Sequence, residues 1–141
     1  MSTGNSSDTT SPTGQPQIGA VGQLGAVSID CPDPAALAAF YRSLLGMTTI
    51  VEQPSGQVVA IGDGSRVLAF MRVQDYVPPT WPHPGQLQQM HLDVSVTDLP
   101  SAVQQAVALG AHEAEQQPMP DLWRVLIDPA GHPFCLTTVG G

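Results

Sequence analysis

A run of strand, acid, helix and glycine occurs twice, and this duplication restricts the possible fold more than any other feature. "AVSIDCPDPAALAAFYRSLLGM" covers residues 26–47 and "HLDVSVTDLPSAVQQAVALGA" covers residues 91–111. Each copy opens with alternating apolar residues, the signature of a half-buried strand. Ala26 and Asp33 are seven residues apart, as are His91 and Asp98. Each Asp stands where a helix N-cap accepts from the free amides of the first turn, and Pro34 suits the first helical position, where a missing N–H costs nothing. Gly46 and Gly110 suit the left-handed residue that ends a helix. Leu37, Phe40, Tyr41 and Leu44 in the first copy, and Val103, Ala106, Val107 and Gly110 in the second, keep the i, i+3, i+4, i+7 spacing of a helix with one buried face.

Shorter β-like runs follow each helix: Thr48 to Glu52, Val58 to Gly62 and Arg66 to Val73, then His112 to Gln116, Trp123 to Ile127 and Pro133 to Thr138. "GDGS" (62–65) and "DPAG" (128–131) separate the last two of each set as hairpin turns. Each half therefore spells βαβββ. The period, 91 − 26 = 65 residues, is too long for a solenoid, and it suits an α+β fold of two tandem modules over residues 22–73 and 88–139, within one domain spanning 21–141. Residues 74–88, "QDYVPPTWPHPGQLQ", hold four prolines, which lack backbone donors and cannot sit inside a sheet, so they predict a linker. Tyr76 and Trp81 within it call for a surface to pack on. Residues 1–20 are mostly Ser, Thr, Gly and Pro with little to bury, the composition of a disordered tail.

Composition removes several function classes. The formal charge is −8, carried with four arginines (Arg42, Arg66, Arg72, Arg124) and no lysine. Nucleic acid and anionic membrane are therefore not expected partners, and Schiff-base chemistry has no amine to use. No apolar run nears the roughly 20 residues of a membrane span. With no basic, apolar secretory start and only two cysteines, Cys31 and Cys135, a cytoplasmic protein with unpaired thiols is expected.

The duplicated βαβββ pattern together with "DCPDPAALAAFYRSLLGM", "VPPTWPHPGQLQQMHLDVSVTDL" and "VLIDPAGHPFCL" resembles the glyoxalase-like branch of the vicinal oxygen chelate superfamily, which includes bleomycin-resistance proteins. The resemblance covers roughly residues 22–139. It implies a half-barrel cleft, a homodimer, and an interior that binds a small organic molecule and, in many members, a metal. Metal-using members place one ligand, typically His or Glu, at each of four equivalent strand positions. Pairing Gly64 with Gly131 across the repeat puts those positions at Ala26, Leu68, His91 and Cys135. Two of the four are hydrocarbon, whereas a catalytic metal wants at least three protein ligands. No cofactor and no metal centre of the usual kind are expected.

Strand alternation then assigns faces, because successive side chains point to opposite sides. Val27 and Ile29 go to the helices, with Ala26, Ser28 and Asp30 opposite; Leu92, Val94 and Val96 go to the helices, with His91, Asp93 and Ser95 opposite. Phe134 and Leu136 oppose Pro133, Cys135 and Thr137. In the fourth strand the same reading sends Val67, Ala69 and Met71 to the helix and Leu68, Phe70 and Arg72 to the cleft. The predicted catalytic pair is His91 with Asp93, a neighbouring carboxylate that raises an imidazole's proton affinity. The predicted ligand-contacting set is Ser28, Asp30, Leu68, Phe70, Arg72, Tyr76, Trp81, Trp123 and Cys135, although Trp123 could instead be core. His91 and Cys135 could also form an imidazole–thiolate pair or take a soft ion, and a His91 that merely hydrogen-bonds a ligand, Asp93 or water remains the plainer alternative. His83, His112 and His132 are expected in solvent. Two functions follow: sequestration of a small molecule in a dimeric cleft, as in bleomycin resistance, where acidic charge favours a cationic guest; or a lyase-, isomerase- or dioxygenase-like enzyme that works through His91 with an atypical or absent metal.

Overall fold

In the computed structural model, Ala20 and residues 22–139 are described; the tail expected over residues 1–20 lies, apart from Ala20, outside them. The first module runs β1 (Val27–Cys31), α1 (Pro34–Leu45), β2 (Thr48–Glu52), β3 (Val58–Gly62) and β4 (Val67–Arg72). The second runs β5 (Leu92–Ser95), α2 (Leu99–Leu109), β6 (His112–Glu113), β7 (Trp123–Ile127) and β8 (Pro133–Thr137). They form two four-stranded sheets with the same connectivity, β1-β4-β3-β2 and β5-β8-β7-β6. The first and last strands of each module are parallel neighbours and the others antiparallel.

The helices begin and end where the sequence places them. The Asp33 carboxylate accepts from Ala36 N at 3.3 Å and that of Asp98 from Ser101 N at 3.1 Å. Gly46 closes α1 in the left-handed conformation, φ 71° and ψ 27°, its N–H donating to the Arg42 carbonyl. α1 packs on β3 and β4, α2 on β6, β7 and β8, and the helices touch each other, so the covered faces of both sheets share one apolar core. Its centre is aromatic. The Phe40 ring stands edge-on to Tyr41 at 4.9 Å and to Phe134 at 5.9 Å, and Tyr41 stacks on Phe70 at 5.6 Å and 10°. Burying each such ring contributes roughly 1.5–3 kcal/mol. In α2 the buried residues are Leu99, Val103 and Ala106; Val107, expected on the same stripe, is 45 % exposed.

Strand β6 is shorter than the sequence suggests. After a last backbone bond from Ala114 N to the Val125 carbonyl, the side-chain amide of Gln117 takes over the pairing: its Nε2 donates to the carbonyls of Ala114 and Val125, and its Oε1 accepts from Val125 N at 2.8 Å. The backbone is thereby freed from the ladder ahead of Pro118 and Pro120, which could not have continued it.

In β4 the two faces are the reverse of the sequence expectation. In the parallel pair β1 and β4, Val27 lies opposite Leu68 and Ile29 opposite Phe70, so Leu68 and Phe70 share the helix-covered face, and both are buried. The cause is a single residue of turn. Asp63 Oδ1 accepts from Ser65 N and Arg66 N, and Asp63 N donates to the Arg66 carbonyl. Asp128 Oδ1 accepts from Ala130 N and His132 N, and Asp128 N donates to the His132 carbonyl. The two turns are built alike, but the second closes on the fourth residue after its Asp rather than the third. Aligning the turn glycines therefore slips β4 by one position against β8, and one position reverses every side chain. Cys135 corresponds to Ala69, not Leu68.

Candidate functional site

The open face of the second sheet carries a cleft of about 610 Å³. Its floor comes from alternate residues of three strands: His91 at the head of β5 with Asp93 and Ser95, Cys135 and Thr137 from β8, and Trp123 and Val125 from β7. Register brings them together, since Asp93 lies opposite Cys135, Ser95 opposite Thr137, and Trp123 opposite Thr137 on the other side. The linker supplies the roof, through Trp81 and Gln88. The expected hollow thus lies over one module, covered by the connecting segment.

His91 Nε2 is 3.2 Å from Asp93 Oδ1, with both side chains open to solvent. Donor atoms of His91, Asp93 and Cys135 all lie within 4.8 Å of one another. Burial pushes the Cys135 thiol up, and the Asp93 carboxylate beside it acts in the same direction. A nucleophilic cysteine needs the opposite, a thiol pulled down by a cation or a helix N-terminus. The imidazole–thiolate reading therefore has no support in this geometry.

A second hollow, about 330 Å³, lies where the modules meet, beneath residues 86–92. Ser28, Asp30 and Tyr76 line this space and not the larger cleft. Next to it the modules are tied together. Asp128, 2 % exposed, accepts from the Tyr41 hydroxyl at 2.7 Å, and burial with this carboxylate at its side keeps the phenol protonated. His132 Nε2 lies 2.7 Å from the Asp30 carbonyl and 3.0 Å from the Tyr76 hydroxyl, which donates to the Ala130 carbonyl. A carbonyl accepts only, so Nε2 carries the proton. His132, expected in solvent, is instead a clasp joining β1, the linker and the β7–β8 turn. Gly131 in that turn has φ 94°, and a Cβ there would meet Pro78 Cβ at 2.6 Å, so only glycine lets the linker lie this close.

Of the residues predicted from sequence, His91, Asp93, Trp81, Trp123 and Cys135 converge on the larger cleft, while Ser28, Asp30 and Tyr76 border the smaller one. Three stand elsewhere. Leu68 and Phe70 are core, for the register reason given above, and Arg72 is exposed at the end of β4 beside Gly56. Gln88 was not predicted; its Oε1 is buried with no hydrogen-bond partner among the described residues. Nothing in a Gln-rich linker marks it. Ser95 and Thr137 follow from alternation alone.

Corrected for register, the four positions that carry ligands in metal-using superfamily members are Ala26, Ala69, His91 and Cys135. Two methyl groups offer no donor, so the four-position metal centre does not fit these residues.

The chain is similar in fold to the fosfomycin resistance protein FosX from Mesorhizobium loti, with TM-score 0.62, 14% identity, and coverage of 82% of this chain and 90% of that one. A glyoxalase/bleomycin resistance protein/dioxygenase family enzyme from Burkholderia phytofirmans gives 0.59 at 19% identity over 79% and 94%. A glyoxalase-related enzyme from Fulvimarina pelagi gives 0.60 at 19% over 82% and 86%. Comparison with curated proteins finds no match. Among the described residues no helix is long and apolar enough to cross a membrane. The profile of the glyoxalase-like domain family matches residues 26–137, from the head of β1 to the end of β8, and the chain belongs to that family, within the vicinal oxygen chelate superfamily.

Proposed function

We propose that this protein holds a flat, neutral or cationic organic molecule in the cleft between Trp81 and Trp123, binding it without using the superfamily's metal centre. The observation that carries this reading is the character of the lining. Two indoles face the cleft, and among the described residues Asp93 is the one formally charged side chain along it. Indole faces favour planar and cationic guests. Three of the four arginines are engaged elsewhere, Arg66 with Asp63, Arg124 with Glu113 and Arg42 with Thr49, and the fourth, Arg72, stands at the end of β4 outside the cleft lining. FosX is named for resistance to fosfomycin; a phosphonate of that kind would find no cationic side chain here to hold it.

The chain has two tryptophans, both on this cleft, so intrinsic fluorescence reports on binding directly. Chelator-treated protein titrated with acridinium, with neutral acridone and with fosfomycin should show saturable quenching by the first two and none by the third. Trp81→Ala should weaken acridinium by about tenfold or more, the equivalent of about 1.4 kcal/mol. Binding of fosfomycin as tight as that of acridinium, or no aromatic binding at all, would overturn the reading.

The His91–Asp93 contact favours a second reading, in which His91 moves a proton on the bound molecule. It is distinguished by a turnover lost in His91→Ala while binding persists. A homodimer suits the exposed edge strand β2, where Ile50 and Val51 are 54 % and 47 % exposed, and sedimentation would test it. Two unpaired cysteines suit a reducing compartment such as the cytoplasm.

A further inference from the structure

We propose that His91, Asp93 and Cys135 form a three-donor site for a borderline-soft divalent cation such as Zn²⁺ or Co²⁺, carried entirely by the second sheet and leaving at least one coordination position open to the cleft. It differs from the four-position centre that the residues do not fit. No donor comes from the first module, and Asp93 lies outside those four positions.

The geometry follows from two pairings. Asp93 lies on β5 and His91 immediately precedes that strand, two residues away and on the same face by its alternation, and Asp93 lies opposite Cys135 in the β5–β8 register. Their donor atoms lie within 4.8 Å of one another, with His91 Nε2 and Asp93 Oδ1 at 3.2 Å. Bond lengths of about 2.0–2.3 Å to N, O and S put tetrahedral neighbours roughly 3.3–3.8 Å apart. The His91–Asp93 pair, at 3.2 Å, is already near that spacing, and the half-buried Cys135 sulfur needs an approach of about 1 Å or less, which the exposed His91 and Asp93 side chains can supply by changing rotamer. One nitrogen, one oxygen and one sulfur are the donor mix that selects Zn²⁺ or Co²⁺ over Mg²⁺ or Ca²⁺. Three protein ligands with an open fourth position is the pattern of a reactive rather than a structural zinc.

The protons balance simply. Binding places the cation between His91 and Asp93 in place of their direct contact: the neutral imidazole turns a free ring nitrogen to the cation, its proton moving to the other nitrogen where needed. The Asp93 carboxylate binds as it is, and Cys135 gives up its thiol proton to solvent. One proton leaves per cation bound. The site stands or falls separately from aromatic binding, because its test uses the metal alone.

Titration of the full chain with Co²⁺ should produce a thiolate-to-cobalt charge-transfer band in the near ultraviolet, saturating at one ion per chain. The band should vanish in Cys135→Ser, and His91→Ala and Asp93→Asn should each weaken binding at least about tenfold, as losing an immediate ligand costs no less than losing its supporting partner. Zn²⁺ should also protect Cys135 of the unaltered protein from iodoacetamide until a chelator is added, a measurement that does not depend on any variant folding. The absence of a band, a band of equal strength in Cys135→Ser, full affinity in both His91→Ala and Asp93→Asn, or alkylation of Cys135 at the same rate with and without Zn²⁺ would each overturn the proposal.

Discussion

Replacing Phe70 by alanine separates two places its ring could occupy. On the register read from the turn glycines it lines the cleft, and its loss would lower ligand affinity with little effect on stability. On the register of the structure it is 0 % exposed, stacked on Tyr41 at 5.6 Å, with Phe134 edge-on to the same tyrosine at 6.1 Å. Truncating a fully buried Phe removes its transfer free energy and leaves a cavity, together about 3–5 kcal/mol. The stacking is part of that figure, because the neighbours that would refill the space are rings held rigid by one another. A domain of this size has roughly 5–15 kcal/mol to lose, and each kcal/mol is worth about 3–5 °C, so Tm should fall by about 10–25 °C. Urea titration followed by far-ultraviolet circular dichroism measures the difference, with an unchanged m value identifying it as stability and not a change of unfolded state. Phe70→Leu should recover most of the loss. A cost below about 1 kcal/mol for Phe70→Ala, with weakened binding to the cleft, would refute the assigned register and with it the placement of Ala69 opposite Ser28.

Asp128→Ala should cost about 3–5 kcal/mol, since it strands the Tyr41 hydroxyl and two backbone amides in the interior; a double-mutant cycle with Tyr41→Phe should give a coupling of about 1.5–3 kcal/mol, and additivity would deny the bond. Gly131→Ala should destabilise by more than about 1 kcal/mol through its positive φ and the clash with Pro78, read from the same urea curves, whereas Gly64→Ala, with φ 96° but open space around it, should suffer the conformational cost alone. Alkali should weaken the fold. Burial pushes the Cys31 thiol from its ordinary 9.0 up to about 11, so the folded chain keeps a proton that the unfolded chain releases; the stability this group contributes is whole below about pH 9 and falls by up to about 3 kcal/mol as pH rises to about 11. Cys31→Ala should flatten that part of the profile, and an unchanged slope would show that the thiol does not drive it.

Much of the molecule was legible in its residues because the signals are local. Asp33 and Asp98 cap helices through amides three residues away, Gly46 takes the one backbone conformation that glycine favours, and alternation along β1, β5 and β8 sorts Ile29 from Asp30 and Leu92 from Asp93 without reference to any other segment. The convergence of His91, Asp93 and Cys135 needed only that alternation plus the duplication, whereas the face of Trp123 was settled by the β7–β8 register, which sets it opposite Thr137. The roof could not be foreseen: Gln88 reaches the cleft through the path of a proline-rich linker, and that path is fixed by its contacts with Gly131 and His132.

What the sequence determined by itself is the inventory of strands, helices and caps, and the two-module arrangement that repeats them. What tertiary structure alone decided is register across the first sheet and the division of polar groups between two hollows. A hairpin turn longer by one residue leaves composition and periodicity almost unchanged, yet it shifts a whole strand against its partner by one pleat. Because neighbouring side chains on a strand face opposite ways, that single step placed Phe70 in the core and left a methyl group, that of Ala69, where Cys135 stands in the second module.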